Sequence, residues 1–158
     1  MDTLIAVAAD KYEIPRALVK AFVDVESGGN PWAVRYEPKF FEKYVKNAQI
    51  TPKSPCSEAT ERSLRAHSFG LMQIMGQTAR EVGFEGVFLT ELLDPATNLD
   101  LCCRYLYQLV GRYFDKYSWS GVIAAYNAGS VRYQPGTKVF ANQLYVDKVS
   151  ARAGGAIR

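Results

Sequence analysis

The sequence predicts an all-α fold, or α with minimal β, in one domain, and three observations predict it. Apolar residues recur at helical spacing between recognisable helix starts and stops. No convincing run alternates with period two, since Gly86-Val87-Phe88-Leu89 is too short to count. A length of 158 residues supports one hydrophobic core, with no internal repeat, low-complexity tract or linker to divide it.

The elements follow in order. Asp2 or Thr3 can cap a first helix reaching about Tyr12. Pro15 stands where a helix begins, because its missing N–H is not needed there. From Arg16 to Glu26 the chain places Leu18, Phe22 and Val25 on one face, with Val19 beside them, and Gly28-Gly29 supplies an exit. Residues 31–68 form a long connection with two short helices, Pro38 to Asn47 and Ser57 to Ala66, separated by the Thr51-Pro52-Lys53-Ser54-Pro55 loop. Gly76 to Val82 is a further short helix closed by Gly83. Asp94 as cap and Pro95 at the first position start the longest helix, running to about Tyr113, with a stripe through Leu99, Cys102, Cys103, Leu106, Leu109 and Val110. Ser118 or Ser120 opens a helix ending near Gly129, and a last helix spans about Lys138 to Ala151.

Composition narrows the function classes. The apolar fraction of 48% and charged fraction of 22% are ordinary for a globular chain. A net charge of +3 is too small to argue for nucleic acid. The 10 Tyr, 8 Phe and 2 Trp suit amphipathic ligands such as sugars, although most such rings belong to cores. Three cysteines, Cys56, Cys102 and Cys103, make no disulfide framework; buried free thiols are one reading and a Cys56 bridge to Cys102 or Cys103 the other. With one histidine, His67, a zinc site lacks ligands, and His67 reads as a surface or capping residue. No cofactor or metal is implied. No stretch is long and apolar enough for a membrane span. The N-terminus lacks a basic leading region and reads as a helix rather than a secretory signal.

Glu26 is the residue whose setting suggests chemistry. It closes an apolar helix, where the helix dipole disfavours the charged carboxylate, and a flanking apolar wall would act in the same direction. Both effects suit a general acid. Standing alone, it is better read as a solvated glutamate of the last turn.

Two further blocks change that balance. Glu26-Ser27-Gly28-Gly29-Asn30-Pro31 is followed by Ser68-Phe69-Gly70-Leu71-Met72-Gln73-Ile74 and then by Ala124-Ala125-Tyr126-Asn127-Ala128-Gly129. In this order they resemble the soluble lytic transglycosylases, relatives of goose-type lysozyme, over about residues 14–145. The resemblance implies a single lysozyme-like catalytic domain over 1–158, with 32–67 as an extended helical insertion. It implies Glu26 as the catalytic residue, with Ser27 near the reacting sugar and Gly70, Met72 and Gln73 lining the substrate groove. Tyr126 and Asn127 match the family's Tyr-Asn pair, with the Tyr126 hydroxyl expected close to the Glu26 carboxyl, and Tyr145 more loosely matches a downstream groove tyrosine. Two departures are visible: the long connection from Pro31 to Ser68, and Gly76 where the family often has proline.

The implied reaction is cleavage of the β-1,4 bond between N-acetylmuramic acid and N-acetylglucosamine in peptidoglycan glycan strands, closing a 1,6-anhydro ring. A lysozyme-type hydrolase is the alternative and needs a second carboxylate. Asp24, Glu37 and Glu42 are candidates, and Glu37 is favoured because Asp24 lies only two residues before Glu26 on a helix. A non-catalytic wall-binding or structural module, and an interaction domain unrelated to glycans, are the remaining readings. The resemblance further implies a monomer acting in the periplasm or cell wall, with no nucleic-acid partner and no integral membrane association. Lacking a signal of its own, such a chain would be a phage endolysin or tail-associated enzyme, cargo of a secretion machine, or part of a larger protein.

Overall fold

The computed structural model describes residues 1–157. The fold is mostly α, with one small three-stranded sheet among the described residues, so the form with minimal β is the one realised. The chain forms two compact units, one from Met1–Val25 and the chain from Cys103 onward, the other from Glu26–Cys102.

In the first unit, α1 (Asp2–Lys11) starts one residue earlier than its expected caps, with Met1 at the capping position and no side-chain bond there. Asp2 instead sits in the first turn, where its charge complements the helix dipole. Helix α2 (Arg16–Glu26) begins after Pro15, whose carbonyl accepts from Leu18 and Val19 at 2.9 and 3.2 Å. Leu18, Val19 and Phe22 are fully buried. Burial of each such side chain contributes about 1.5–3 kcal/mol, which is what holds this helix in place.

The last helices show where patterning succeeds and fails. The long helical segment, Pro95–Ala128, starts from Asp94, whose carboxylate accepts the Thr97 N–H at 2.8 Å. That bond, with a second from the Thr97 hydroxyl, holds the Asp94 carboxyl below its ordinary value of 3.8. The segment is broken at Ser118 (φ 54°, ψ −163°), one of the two serines, with Ser120, at which the sequence places a new helix start. The final helix, Gln143–Ala153, begins later than Lys138. Residues before it are drawn into a turn instead: Gln134 N–H donates to Val139 at 2.9 Å, and Phe140 stacks on Tyr133 with ring centroids 5.3 Å apart. A helix cannot start until that cross-chain pairing ends.

In the second unit, β1 (Val34–Tyr36), β2 (His67–Phe69) and β3 (Ile74–Met75) form an antiparallel sheet in the order β1-β2-β3. The register sets Val34 opposite Phe69 and Tyr36 opposite His67. Residues 32–67 are therefore not wholly helical as expected. The insertion leaves on one strand, returns on the next, and carries its helices between them.

Those helices are α3 (Pro38–Phe40), continuing as a wider π-type turn over Phe41–Val45, and α4 (Glu58–Arg65). Ser57 caps α4, its hydroxyl accepting from Thr60 N–H at 3.2 Å. Val45, Ile50 and Ala66 form a small apolar cluster, with Phe40, Phe41 and Ala48 packed on it. The Arg62 guanidinium donates to the carbonyls of Val45, Lys46 and Ala48 at 2.8–3.0 Å, satisfying acceptors a helix end leaves open.

Helix α5 (Gly76–Glu81) follows β3 directly, α6 is the Pro95–Ala128 segment and α7 is Gln143–Ala153. A Cβ at Gly76 would lie 2.4 Å from the Leu64 carbonyl oxygen of α4. The insertion thus accounts for the glycine: α4 occupies the space that proline or any side chain would need. Residues 89–93 form a 3-10 turn rather than a strand. Cys56, Cys102 and Cys103 are buried free thiols, so the Cys56 bridge does not form. No described helix is long and apolar enough to cross a membrane.

Candidate active site

Glu26 is the last residue of α2 and is partly exposed, one helical turn after the buried Phe22. The chain turns away at once, with Gly28 and Gly29 at φ +62° and +83°, a region that costs an L-residue about 1–2 kcal/mol. Ser27 fixes this exit. Its hydroxyl donates to the Leu71 carbonyl at 2.8 Å and accepts the Gly29 N–H at 3.2 Å. The residue beside Glu26 is thereby joined to the Gly70-Leu71-Met72-Gln73 turn, which the sequence separates from it by more than forty positions.

That turn links β2 to β3 and is braced from both sides. Gly70 has φ +70°, and its N–H donates to the Ala33 carbonyl at 2.8 Å. Gln73 also has a positive φ, 51°, which a non-glycine residue adopts only when its surroundings compensate. The compensation is its own side chain. The Gln73 amide donates to Ala33 and Gly70 carbonyls at 3.0 and 2.9 Å and accepts the Ser68 hydroxyl at 2.9 Å. Met72 is fully buried. Gln73 and Met72, expected to line the substrate groove, also shape the turn itself.

Asn98, which the sequence reading did not single out, holds the turn from the α6 side. It is completely buried. Its carbonyl oxygen accepts the Met72 N–H at 3.0 Å, and its amide donates to Phe69 and Leu92 carbonyls at 2.9 and 3.0 Å. The signal was present: an asparagine one turn before Cys102, on an otherwise apolar helix face. Gly70 owes its identity to the same residue, since a Cβ there would sit 2.5 Å from the Asn98 amide nitrogen. Asn98→Ala removes three buried hydrogen bonds, so a loss of about 2–3 kcal/mol is expected. Urea unfolding of the variant checks this, and a change below about 0.5 kcal/mol would contradict it.

The carboxylates proposed as second acids are each held by a neighbouring cation. Glu37, between β1 and α3, accepts from Arg35 Nε. Asp24 is paired with Lys20 at 3.2 Å and Glu42 with Lys46 at 2.9 Å.

Tyr126, Asn127 and Tyr145 belong to the other unit. Tyr126 is half-buried between Phe22 and Tyr105, with ring centroids 4.5 and 5.5 Å from its own. Asn127 is exposed, and its side-chain oxygen accepts from Asn142 Nδ2 at 2.9 Å. The same Asn142 amide donates to the Ala124 carbonyl at 3.0 Å, so one side chain fixes the end of α6 before Gly129 turns the chain at φ +73°. Tyr145 is half-buried in the first turn of α7.

The chain resembles known proteins along most of its length. It is 30% identical over 138 residues to the membrane-bound lytic murein transglycosylase C of Haemophilus influenzae (strain PittGG), covering 80% of this chain and 30% of that protein. It is 30% identical over 103 residues to the membrane-bound lytic murein transglycosylase E of Buchnera aphidicola subsp. Acyrthosiphon pisum (strain APS), covering 65% of this chain and 36% of that protein. It therefore spans about a third of the length of these curated relatives. The family model for the transglycosylase SLT domain matches residues 3–142, a span that takes in Glu26, the braced turn and the Tyr126-Asn127 helix end. With so much of the sequence matched, this protein belongs to the transglycosylase SLT domain family.

Proposed function

We propose that this chain is a peptidoglycan lytic transglycosylase in which Glu26 serves first as acid and then as base. The observation that carries the reading is the side-chain framework joining Glu26's exit loop to the Gly70–Gln73 turn through Ser27, within a chain of this family. In the first step the Glu26 carboxyl gives its proton to the glycosidic oxygen, and the bond from C1 of N-acetylmuramic acid breaks. The sugar's own 2-acetamido group supports the developing positive charge at C1. The Glu26 carboxylate then takes the proton of the C6 hydroxyl, O6 bonds to C1, and the 1,6-anhydro ring closes. No water is consumed and Glu26 regains its proton, so one carboxyl suffices.

In this reading residues 1–158 act as one catalytic domain and as a monomer, on glycan strands in the periplasm or cell wall. Ser27 and the backbone of the Gly70–Gln73 turn shape the bed for the sugars, with Met72 and Gln73 supporting it from beneath. Tyr126, Asn127 and Tyr145 contribute further substrate contacts. Incubation with purified Gram-negative sacculi tests the proposal at its simplest. Clearing of the suspension with release of soluble muropeptides is the expected result; folded protein that releases nothing from any wall preparation would overturn it.

A further inference from the structure

The insertion builds a second binding feature that the transglycosylase reading does not use. An open pocket of about 540 Å³ lies on the second unit, lined by Tyr36, Phe41, Ala59, Arg62, Ser63 and His67. Its floor is aromatic. Tyr36 on β1 stands directly opposite His67 on β2, with ring centroids 5.0 Å apart, and Phe41 lies 6.3 Å from Tyr36. Tyr36 remains 46% exposed, so this ring is offered to solvent rather than spent on the core.

The polar rim is equally defined. His67 Nδ1 lies 2.8 Å from the Ser63 carbonyl oxygen. A carbonyl only accepts, so Nδ1 is the donor of this pair, and in that tautomer Nε2 is an acceptor. Arg62 is already committed to three carbonyls and, at 2.6 Å, to Glu58. It does not offer the pocket an unsatisfied cation, which argues against an acidic peptide as occupant. A half-exposed ring beside a hydrogen-bond acceptor suits a neutral sugar, whose C–H face stacks while its hydroxyl or amide N–H donates.

The pocket lies a few residues along the same strand from the motif turn. Ala33, next to β1, accepts hydrogen bonds from both Gly70 and Gln73 of the motif turn. Tyr36 lies three residues further along, about 10 Å at the rise of a strand. A polymer seated at the turn would reach it.

We infer that the Tyr36–Phe41–His67 pocket is an accessory subsite for an N-acetylated sugar of the glycan strand, beyond the pair being cleaved. The inference rests on the proposed peptidoglycan substrate and adds a preference for long strands. The probe is a set of peptide-free glycan strands, long and tetrasaccharide, assayed with wild type, Tyr36→Ala and Tyr36→Phe. Tyr36→Ala should raise KM on long strands by about tenfold, leave kcat and the tetrasaccharide unchanged, and be rescued by Tyr36→Phe, which keeps the ring. Equal KM for all three proteins on long strands would overturn the subsite, as would an equal rise in KM on the tetrasaccharide. Binding of the long peptide-free strands to Glu26→Gln, with and without Tyr36→Ala, reads the pocket without turnover. Tight binding that Tyr36→Ala weakens would support the subsite even if the wild type proved inactive and the proposed reaction failed.

Discussion

Replacing Glu26 by Gln is expected to lower release of soluble muropeptides from sacculi by about 10²–10⁴-fold, the usual contribution of a positioned acid or base. The amide can neither give the first proton nor take the second, so both halves of the reaction lose their catalyst. The fold should be unaffected. Glu26 is partly exposed at the end of α2, and the substitution preserves shape, so its stability should stay within about 0.5 kcal/mol of wild type. The helix keeps its hold through Leu18, Val19 and Phe22, all fully buried upstream. Initial rates measured beside a thermal unfolding curve separate the two effects. Activity within about tenfold of wild type would remove Glu26 from the centre of the mechanism.

The largest expected effect on stability lies at Glu61, 1% exposed in α4. Its carboxylate receives Arg80 Nε at 2.8 Å, Arg80 Nη2 at 3.0 Å and Arg65 Nε at 3.0 Å. Arg80 in turn donates to the carbonyls of Phe84, Gly86 and Val87, so a single buried carboxylate organises the loop after α5. Glu61→Gln leaves two guanidinium groups beside a neutral amide and should cost about 3–5 kcal/mol. Urea unfolding at neutral pH measures it; a loss under about 1 kcal/mol would contradict the account.

The same residue gives a pH signature. Burial raises the Glu61 pKa, but hydrogen bonds and charge from Arg80 and Arg65 outweigh it and hold the carboxyl below its ordinary value of 4.5. A group depressed on folding contributes stability above its unfolded pKa and loses it as pH falls through the folded value. Wild-type stability should therefore decline below about pH 4.5, and Glu61→Gln should decline less steeply over that window. Asp94, also depressed, leaves a residual slope in both proteins.

How far the sequence could be read depended on how local the information was. Pro15, Ser57 and Asp94-Pro95 marked helix starts because capping is decided within a few residues, and the Ser118/Ser120 pair marked the break in the long helical segment to within two positions for the same reason. The three strands escaped because two or three residues cannot display an alternation, and β1 is exposed along its whole length. The start of the last helix was misplaced because Tyr133 and Phe140 pair across a turn that propensity does not see.

The candidate site divides along the same line. Glu26, Ser27, Gly70, Tyr126 and Asn127 stand in recognisable blocks, so their positions were legible. The supports were not. Asn98 reaches Met72 across 26 positions and Glu61 reaches Arg80 across 19, and a buried polar residue gives no local sign of which distant partner satisfies it. Met72 and Gln73 were legible as motif residues but not as internal braces, because burial and side-chain satisfaction are properties of the folded turn.

The reaction itself is tested most directly by mass spectrometry of the muropeptides that wild type and Glu26→Gln release from Gram-negative peptidoglycan. The account predicts fragments ending in 1,6-anhydromuramic acid with the wild type and none above background with the variant. Fragments with ordinary reducing ends would contradict it, showing that water rather than the C6 hydroxyl attacks C1, and would direct attention to Glu37 as the carboxylate that positions that water.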